Sequence, residues 1–311
     1  MATRQPIRFT ALWSSAGAPE VSGISTMNSA IAYALISMVF AGLTDVAFKR
    51  YARLDRSRGV YVAGMGAVWA VLQAGIVWWS GSALSLDSST MVYGLIAGLF
   101  VSLANLCLIE SMTHIHVSLA STVYRFNTIG VVFMAVILLA EPLTVIKGAG
   151  VVLGILAVLL LYEHGSNGIS AQLMLGYFGL AVLASFLRAC FGIVTKHAVS
   201  HGIDFPSFLL CNTAIWVLTG LIYARWREGR IRLTRGKIRY CLISGVLICG
   251  VANFLALALQ RGEASVVVPV ANMSFLVALT LSAIWGMEVL TSKKLVAMGL
   301  SVAAIFTLAQ V

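Results

Sequence analysis

The sequence predicts an all-α polytopic membrane protein: ten transmembrane helices arranged as two inverted five-helix repeats around a central cavity. Three observations lead there. Of the 311 residues 60% are apolar and 10% are charged, whereas soluble domains carry roughly a quarter charged residues, and no water-soluble fold hides that much apolar surface. The apolar residues gather into ten runs of bilayer-crossing length, about 20 residues each, with short punctuated loops between them. The chain also resembles itself when slid along by about 147 residues.

Taken in order, residues 1–27 carry Arg4, Pro6, Arg8, Pro19 and many small polar residues, with no apolar core of signal-peptide length, and read as a disordered tail; Met27 is an alternative start. The first run, 29–49, stops at the basic cluster Lys49, Arg50, Arg53, Arg56 and Arg58. The second, 60–80, closes on Ser80-Gly-Ser82, and the third spans 90–110. A fourth, 117–139, ends at Glu141-Pro142, and the fifth, 143–162, at Gly165-Ser-Asn-Gly168. The sixth, 172–196, is followed by His201-Gly-Ile-Asp-Phe-Pro206, and the seventh, 206–225, by the basic stretch Arg225 to Arg239. The eighth covers 238–258, the ninth 264–286 and the tenth 292–310. The two repeats are thus 28–165 and 166–311.

The formal charge of +10 does not signal nucleic acid, because the cations sit between apolar runs and not along a soluble face interleaved with aromatics. Counted over alternate loops, fourteen of the 21 Lys and Arg lie on one side. Five lie on the other: Arg4, Arg8, Lys147, Lys196 and Arg261. Arg125 and Arg188 fall inside runs. Loops rich in Lys and Arg stay in the cytoplasm, so the expectation is a bacterial inner-membrane protein with both termini on the outer side. The five cysteines, Cys107, Cys190, Cys211, Cys241 and Cys249, lie within or at the edge of apolar runs without a C-x-x-C, and read as small apolar groups, not a disulfide set.

The repeat is carried by particular residues. Leu139-Ala-Glu-Pro-Leu-Thr144 aligns with Gly286-Met-Glu-Val-Leu-Thr291, Lys147 with Lys294 and Lys49 with Lys196, while Leu103-Ala-Asn105 matches Val251-Ala-Asn253 with a one-residue slip. Five helices are an odd number, so the second repeat enters the membrane from the opposite face. The Glu-x-Leu-Thr corners at Glu141 and Glu288, with Glu263-Ala-Ser-Val-Val-Val-Pro-Val270, resemble the EamA-type members of the drug/metabolite transporter superfamily. That resemblance, from about Asn28 to Val311, implies a 5 + 5 fold with a central cavity lined by helices one to four and six to nine, often exporting amino acids or related metabolites. Two positions depart from the pattern: Pro269 corresponds to Thr122, so the kink-forming proline is absent from the fourth helix, and Asn272 corresponds to Arg125.

Charges near the bilayer centre are expensive and face a cavity or a partner. On the fourth helix Ser118, Ser121, Thr122, Arg125 and Thr128 draw a polar stripe beside Tyr124 and Asn127; Ser185, Arg188, Gly192 and Thr195 do so on the sixth. Arg125 and Arg188 are therefore candidates to bind an anionic group, since a guanidinium matches carboxylate and phosphate geometry; the alternative is that each locks helices together by pairing with Glu110, Asp45 or backbone carbonyls. Asp45 pairs with Lys49 one turn on, or receives a substrate ammonium or a coupling proton; Glu110 is a second candidate for that role. Tyr124, Asn105, Asn253, Asn272 and Trp69 complete the expected substrate-binding set, the amides being equally able to bond helices together. The other tryptophans read as interfacial anchors, except Trp216, a possible cavity wall. Glu141 and Glu288 stand where a carboxylate caps the first turn of the next helix, and Gly94-x-x-x-Gly98 and Gly150-x-x-x-Gly154 permit close helix packing, the latter also a homodimer contact.

Catalytic and nucleotide fingerprints are absent, and His114-x-His116 at a short loop offers too few ligands for a metal, so the chain reads as no enzyme, with no cofactor. The partners expected are a small-molecule substrate and the lipid bilayer. The leading function is secondary-active transport, as an exporter, of a small polar metabolite bearing a carboxylate or other anionic group. Efflux of cationic drugs and a membrane subunit of a lipid- or glycan-modifying system are the alternatives.

Overall fold

The structure, a computed structural model, describes residues 23–52, 57–80, 84–85, 87–111, 123–160, 171–229, 234–286 and 290–310. Its helices are α1 (Gly23–Ala52), α2 (Arg58–Trp79), α3 (Ser88–Ser111), α4 (Asn127–Leu138), α5 (Val145–Leu160), α6 (Ala171–Ser200), α7 (Phe205–Arg227), α8 (Arg235–Arg261), α9 (Ala264–Asn272), α10 (Ser274–Ile284) and α11 (Ser292–Leu308). A single helical turn, 123–125, precedes α4. Among the described residues seven stretches are long and apolar enough to cross a membrane, counting Ala264–Ile284 as one; Val123–Leu138 and Val145–Leu160 are shorter apolar helices, and α11 has 17 residues. Helix α1 begins at Gly23, inside the stretch expected to be a disordered tail.

Local sequence sets the helix starts. Ser57, Asp204, Thr234 and Thr291 each accept, through a side-chain oxygen, the backbone N–H three residues on, satisfying donors that a helix start leaves orphaned. The Thr of the repeated Glu-x-Leu-Thr motif plays this part in both halves: Thr144 accepts from Lys147 N and Thr291 from Lys294 N. The motif is therefore a corner-and-cap device.

Eight rods close a ring. In order around it α1 packs on α8, α8 on α2, α2 on α7, α7 on α3, α3 on α6, α6 on α4, α4 on α9, and the α9–α10 rod back on α1; α5 and α11 pair outside and touch the ring at α9. Ring membership is helices one to four and six to nine, the set expected around the centre. Exchanging each helix for its counterpart one repeat on turns every one of these pairings into another or into itself. Two halves related by a pseudo-twofold are built this way, and where a residue touches its own counterpart the axis passes between them. Trp69 and Trp216, 147 positions apart, meet edge to face at 5.8 Å. Arg125 and Asn272, the same distance apart, are hydrogen-bonded. The axis thus runs from the α2–α7 crossing to the α4–α9 crossing.

Small residues let these helices close. A Cβ on Gly94 or Gly98 would collide with α7, and one on Gly150 or Gly154 with Leu308 and Met273. Both glycine pairs pack against helices of the same chain. Trp78, Trp79 and Trp226, at helix ends, are 83%, 76% and 88% exposed, as interfacial anchors are.

Candidate functional site

The site grows from two matched helix breaks. The rod 123–138 is interrupted at Phe126 and the rod 264–284 at Met273, one repeat offset apart. At both the backbone takes an i→i+3 turn: Phe126 N donates to Val123 O and Ile129 N to Phe126 O, Met273 N to Val270 O and Leu276 N to Met273 O. Pro269 inside α9 stands one turn before the second break and removes the ladder donor for the Ser265 carbonyl. The first break forms without a proline, contrary to the straight fourth helix that Thr122 suggested. Side chains brace it: Asn127 donates through Nδ2 to the Tyr124 carbonyl at 2.8 Å and accepts through Oδ1 from Asn272 Nδ2 at 2.6 Å, with Thr128 Oγ1 accepting from the same Asn272 amide at 3.0 Å.

Where the breaks cross, Arg125 is held on three sides. Its Nη1 donates to the Asn272 carbonyl at 2.6 Å and to Ser274 Oγ at 3.2 Å, its Nη2 meets Asp45 Oδ2 at 3.1 Å, and its guanidinium stands 5.0 Å from the Phe275 ring centre. Ser274 Oγ also donates to Asp45 Oδ2, at 3.1 Å. Helix α1 comes this near because Gly42, one turn before Asp45, has no Cβ; one there would lie 2.7 Å from the Ser274 carbonyl. The ion pair is unevenly covered: the Arg125 side chain is 17% accessible, that of Asp45 45%. A narrow cavity of about 20 Å³, room for about one water molecule, lies beyond the crossing toward α5, between Arg125, Asn272, Phe275 and Ile155.

Arg188 contrasts with Arg125. It is half-buried in α6, and among the described residues no carboxylate or hydrogen-bond acceptor meets its guanidinium, which stands 5.1 Å from the Phe191 ring centre. Tyr124 lies within electrostatic range of Arg188, Arg125 and Asp45 alike. The cluster holds two cations and one carboxylate, an excess of positive charge.

Other expected residues fall elsewhere. Asn253 is buried in α8 and exchanges hydrogen bonds with Gln73 of α2, 2.9 Å for the shorter, while Gln73 accepts from the Trp69 indole at 3.4 Å and donates to the Pro206 carbonyl. Asn105 bonds back to the Val101 carbonyl of its own helix at 2.7 Å, so the two asparagines do not share a site. Glu110 accepts from Tyr223 at 2.7 Å and Arg227 at 3.0 Å, tying α3 to the end of α7. The side chain of Lys49, expected beside Asp45, and residues Ser118, Ser121, Thr122, His114, His116 and Glu288 lie outside the described residues.

At the end of the bundle opposite Arg227, charged side chains tie the helix ends of the two halves together. Glu141 does not cap the next helix, as its position suggested, but the other half's α9, accepting from Ala264 N at 2.8 Å, Ser265 N at 2.9 Å and Ser265 Oγ. Lys147, 1% accessible, pairs with Glu263 and the Pro142 carbonyl, and Lys196 donates to the Leu259 and Gly262 carbonyls, each at 2.7 Å. Gln73, Ser274 and the Lys147–Glu263 pair had not been picked out from the sequence. Ser274 had a signal, since it stands one repeat offset from Asn127; Gln73 faces Gly220 at its counterpart and had none.

Among curated proteins no match is found. Among solved structures 29 chains match; one, a crystal structure, superposes with a TM-score of 0.75 over 91% of this chain and 96% of its own at 12% identity, a likeness that speaks for the fold alone. The model of the EamA-like transporter family matches residues 28–163 and again 175–310, two segments whose ends are both offset by 147 residues, the spacing that brings Trp69 to Trp216 and Arg125 to Asn272. With its two repeats, its matched helix breaks and the polar crossing between them, the chain belongs to the EamA-like transporter family of the drug/metabolite superfamily.

Proposed function

We propose that the protein is a secondary-active exporter of a small metabolite bearing a carboxylate, such as an amino acid, working by alternating access through ten spans in two inverted repeats. The observation that carries the substrate class is Arg188. A guanidinium inside a membrane bundle costs a few kcal/mol or more unless compensated, and a single ring contact worth about 1–2 kcal/mol does not balance that. An anion arriving beside Arg188 and Tyr124 does. Asp45, the more accessible member of its pair, suits the ammonium of a zwitterion or a coupling proton; a carboxylate bare to lipid is too costly, so its exposed edge faces a water-filled vestibule. Lys and Arg asymmetry supports an inner-membrane orientation with the Arg225–Arg239 loop in the cytoplasm and both termini outside.

Flux and binding test this together. Purified protein in proteoliposomes is expected to move labelled amino or organic acids with no other subunit present, and Arg188→Gln is expected to weaken carboxylate binding more than tenfold with elution volume unchanged and the melting temperature of the substrate-free form no lower than that of the wild type. Stabilisation of the wild type by quaternary amines alone, with no response to any carboxylate, would overturn the anion reading and favour cationic drug efflux.

A further inference from the structure

The α2–α7 crossing, at the other end of the pseudo-twofold axis, carries polar atoms that the fold leaves unused. Asn212 is fully buried and Trp216, one turn on, is 4% exposed, yet neither Asn212 Oδ1, Asn212 Nδ2 nor Trp216 Nε1 meets a hydrogen-bond partner among the described residues. Such groups are rare in folded proteins because an unpaired buried dipole opposes folding. The repeat does not impose them. The counterpart of Asn212 is the apolar Met65, and the counterpart of Trp216 is Trp69, whose indole N–H finds Gln73. Helix α7 has Gly220 where α2 has Gln73. The two residues, four apart, share one face of α7: the Asn212 backbone carbonyl lies 3.0 Å from where a Gly98 Cβ of α3 would stand, and Trp216 Cδ1 2.8 Å from that of Gly66 of α2. That face looks between α2 and α3, the inward side of α7 in the ring.

We propose that Asn212 and Trp216 form a second contact station for the transported molecule, taking an uncharged group that both donates and accepts hydrogen bonds, a hydroxyl or carboxamide. The proposal rests on the reading of the protein as a carrier of carboxylates. Its chemistry follows from the unpaired atoms: two donors, one acceptor and no formal charge. A carboxylate at the station satisfies both donors but faces the Oδ1 lone pairs, and an ammonium satisfies Oδ1 but faces two N–H groups. A hydroxyl or amide satisfies all three. The arginine crossing then takes the acid end of a substrate and the tryptophan crossing its neutral polar end, from opposite sides of the ring at the two ends of the axis.

Asn212→Leu, close in shape and without the dipole, separates this from a structural role. In the full-length protein it is expected to raise the melting temperature of the substrate-free form by a few degrees. In proteoliposomes it is expected to lower by about tenfold the preference for the hydroxylated member of a probe pair such as serine over alanine or lactate over propionate, the effect of one lost hydrogen bond, with uptake of the plain acid retained. Trp216→Phe should reduce the same preference. A lower melting temperature for Asn212→Leu means that the amide is bonded to buried water for structure, and overturns the proposal; so does an unchanged preference, or a wild type indifferent to the hydroxyl in every pair. Failure of the carboxylate reading shows separately, as wild-type protein that moves no plain acid and an Arg188→Gln variant without effect.

Discussion

At the scale of single residues, the two intramembrane arginines have divided their work. Arg125 is spent on Asp45, Ser274 and a carbonyl released by the break in the facing rod, so it joins α1, α4 and the α9–α10 rod. Removing one partner of such a pair strands the other, whereas removing both can be close to neutral. Arg125→Gln and Asp45→Asn are therefore each expected to lower the melting temperature, and the double variant to recover part of the loss; equal, additive losses would show that the pair contributes nothing. Arg188→Gln is expected to raise the melting temperature of the substrate-free protein, because it removes an uncompensated charge from the bundle while no hydrogen bond or ion pair among the described residues is lost with it. Sequence alone marked both arginines but could not tell them apart. The difference lies in what α1 brings near, and that depends on Gly42, whose missing Cβ leaves no periodic trace.

At the scale of elements, the ends of helices are held by side chains distant in sequence. Glu141 completes the N-terminus of α9, and Lys147 is buried against Glu263 just before it. The exposure of the two partners sets an asymmetry: Lys147 is 1% accessible and Glu263 30%. Glu263→Gln leaves a buried ammonium and is expected to cost about 3–5 kcal/mol; Lys147→Met leaves a carboxylate that water can reach and should cost clearly less. Denaturation of the two variants in the same detergent checks the order, and the reverse order would put the burden on the carboxylate. At the start of α3, Asp87 accepts hydrogen bonds from Thr90 and Ser85, and these, Thr90's hydroxyl foremost, hold its carboxyl below the usual range. A depressed folded-state value stabilises above the unfolded value near 4 and is lost as the pH falls through the folded one. The start of α3 is thus expected to fray only in strong acid, and amide exchange at Thr90 in Asp87→Asn to be fast already at neutral pH. The existence of these elements was legible from apolar runs and punctuation; the partners of their ends were not, because Glu141 meets α9 only once the halves are assembled, and pattern along one segment carries no record of contacts made across the repeat.

At the scale of the molecule, the repeat itself was readable as an offset of Glu-x-Leu-Thr corners, and the ring of eight helices follows from it; which residues straddle the axis emerged only in three dimensions. Trp69 and Trp216 were visible as two deep tryptophans without being recognised as counterparts. The symmetry yields a last expectation about movement. The charge lattice of Glu141, Lys147, Glu263 and Lys196 ties the two halves together at the end opposite Arg227, and the repeat offset carries Lys147 to Lys294 at the start of α11 and Lys196 to Lys49 near the end of α1, both at the other end. If the two ends exchange roles about the axis, weakening one lattice favours the state in which that end opens and the other closes. In a cysteine-free background, a thiol introduced at Ser265 is therefore expected to react faster with a membrane-impermeant reagent when Glu263→Gln is added, while a thiol at Ser57 reacts more slowly. The opposite sign of the two changes carries the information. Faster reaction at both positions would mean that the variant merely loosens the bundle, and no change at Ser57 would mean that the two ends move independently of each other.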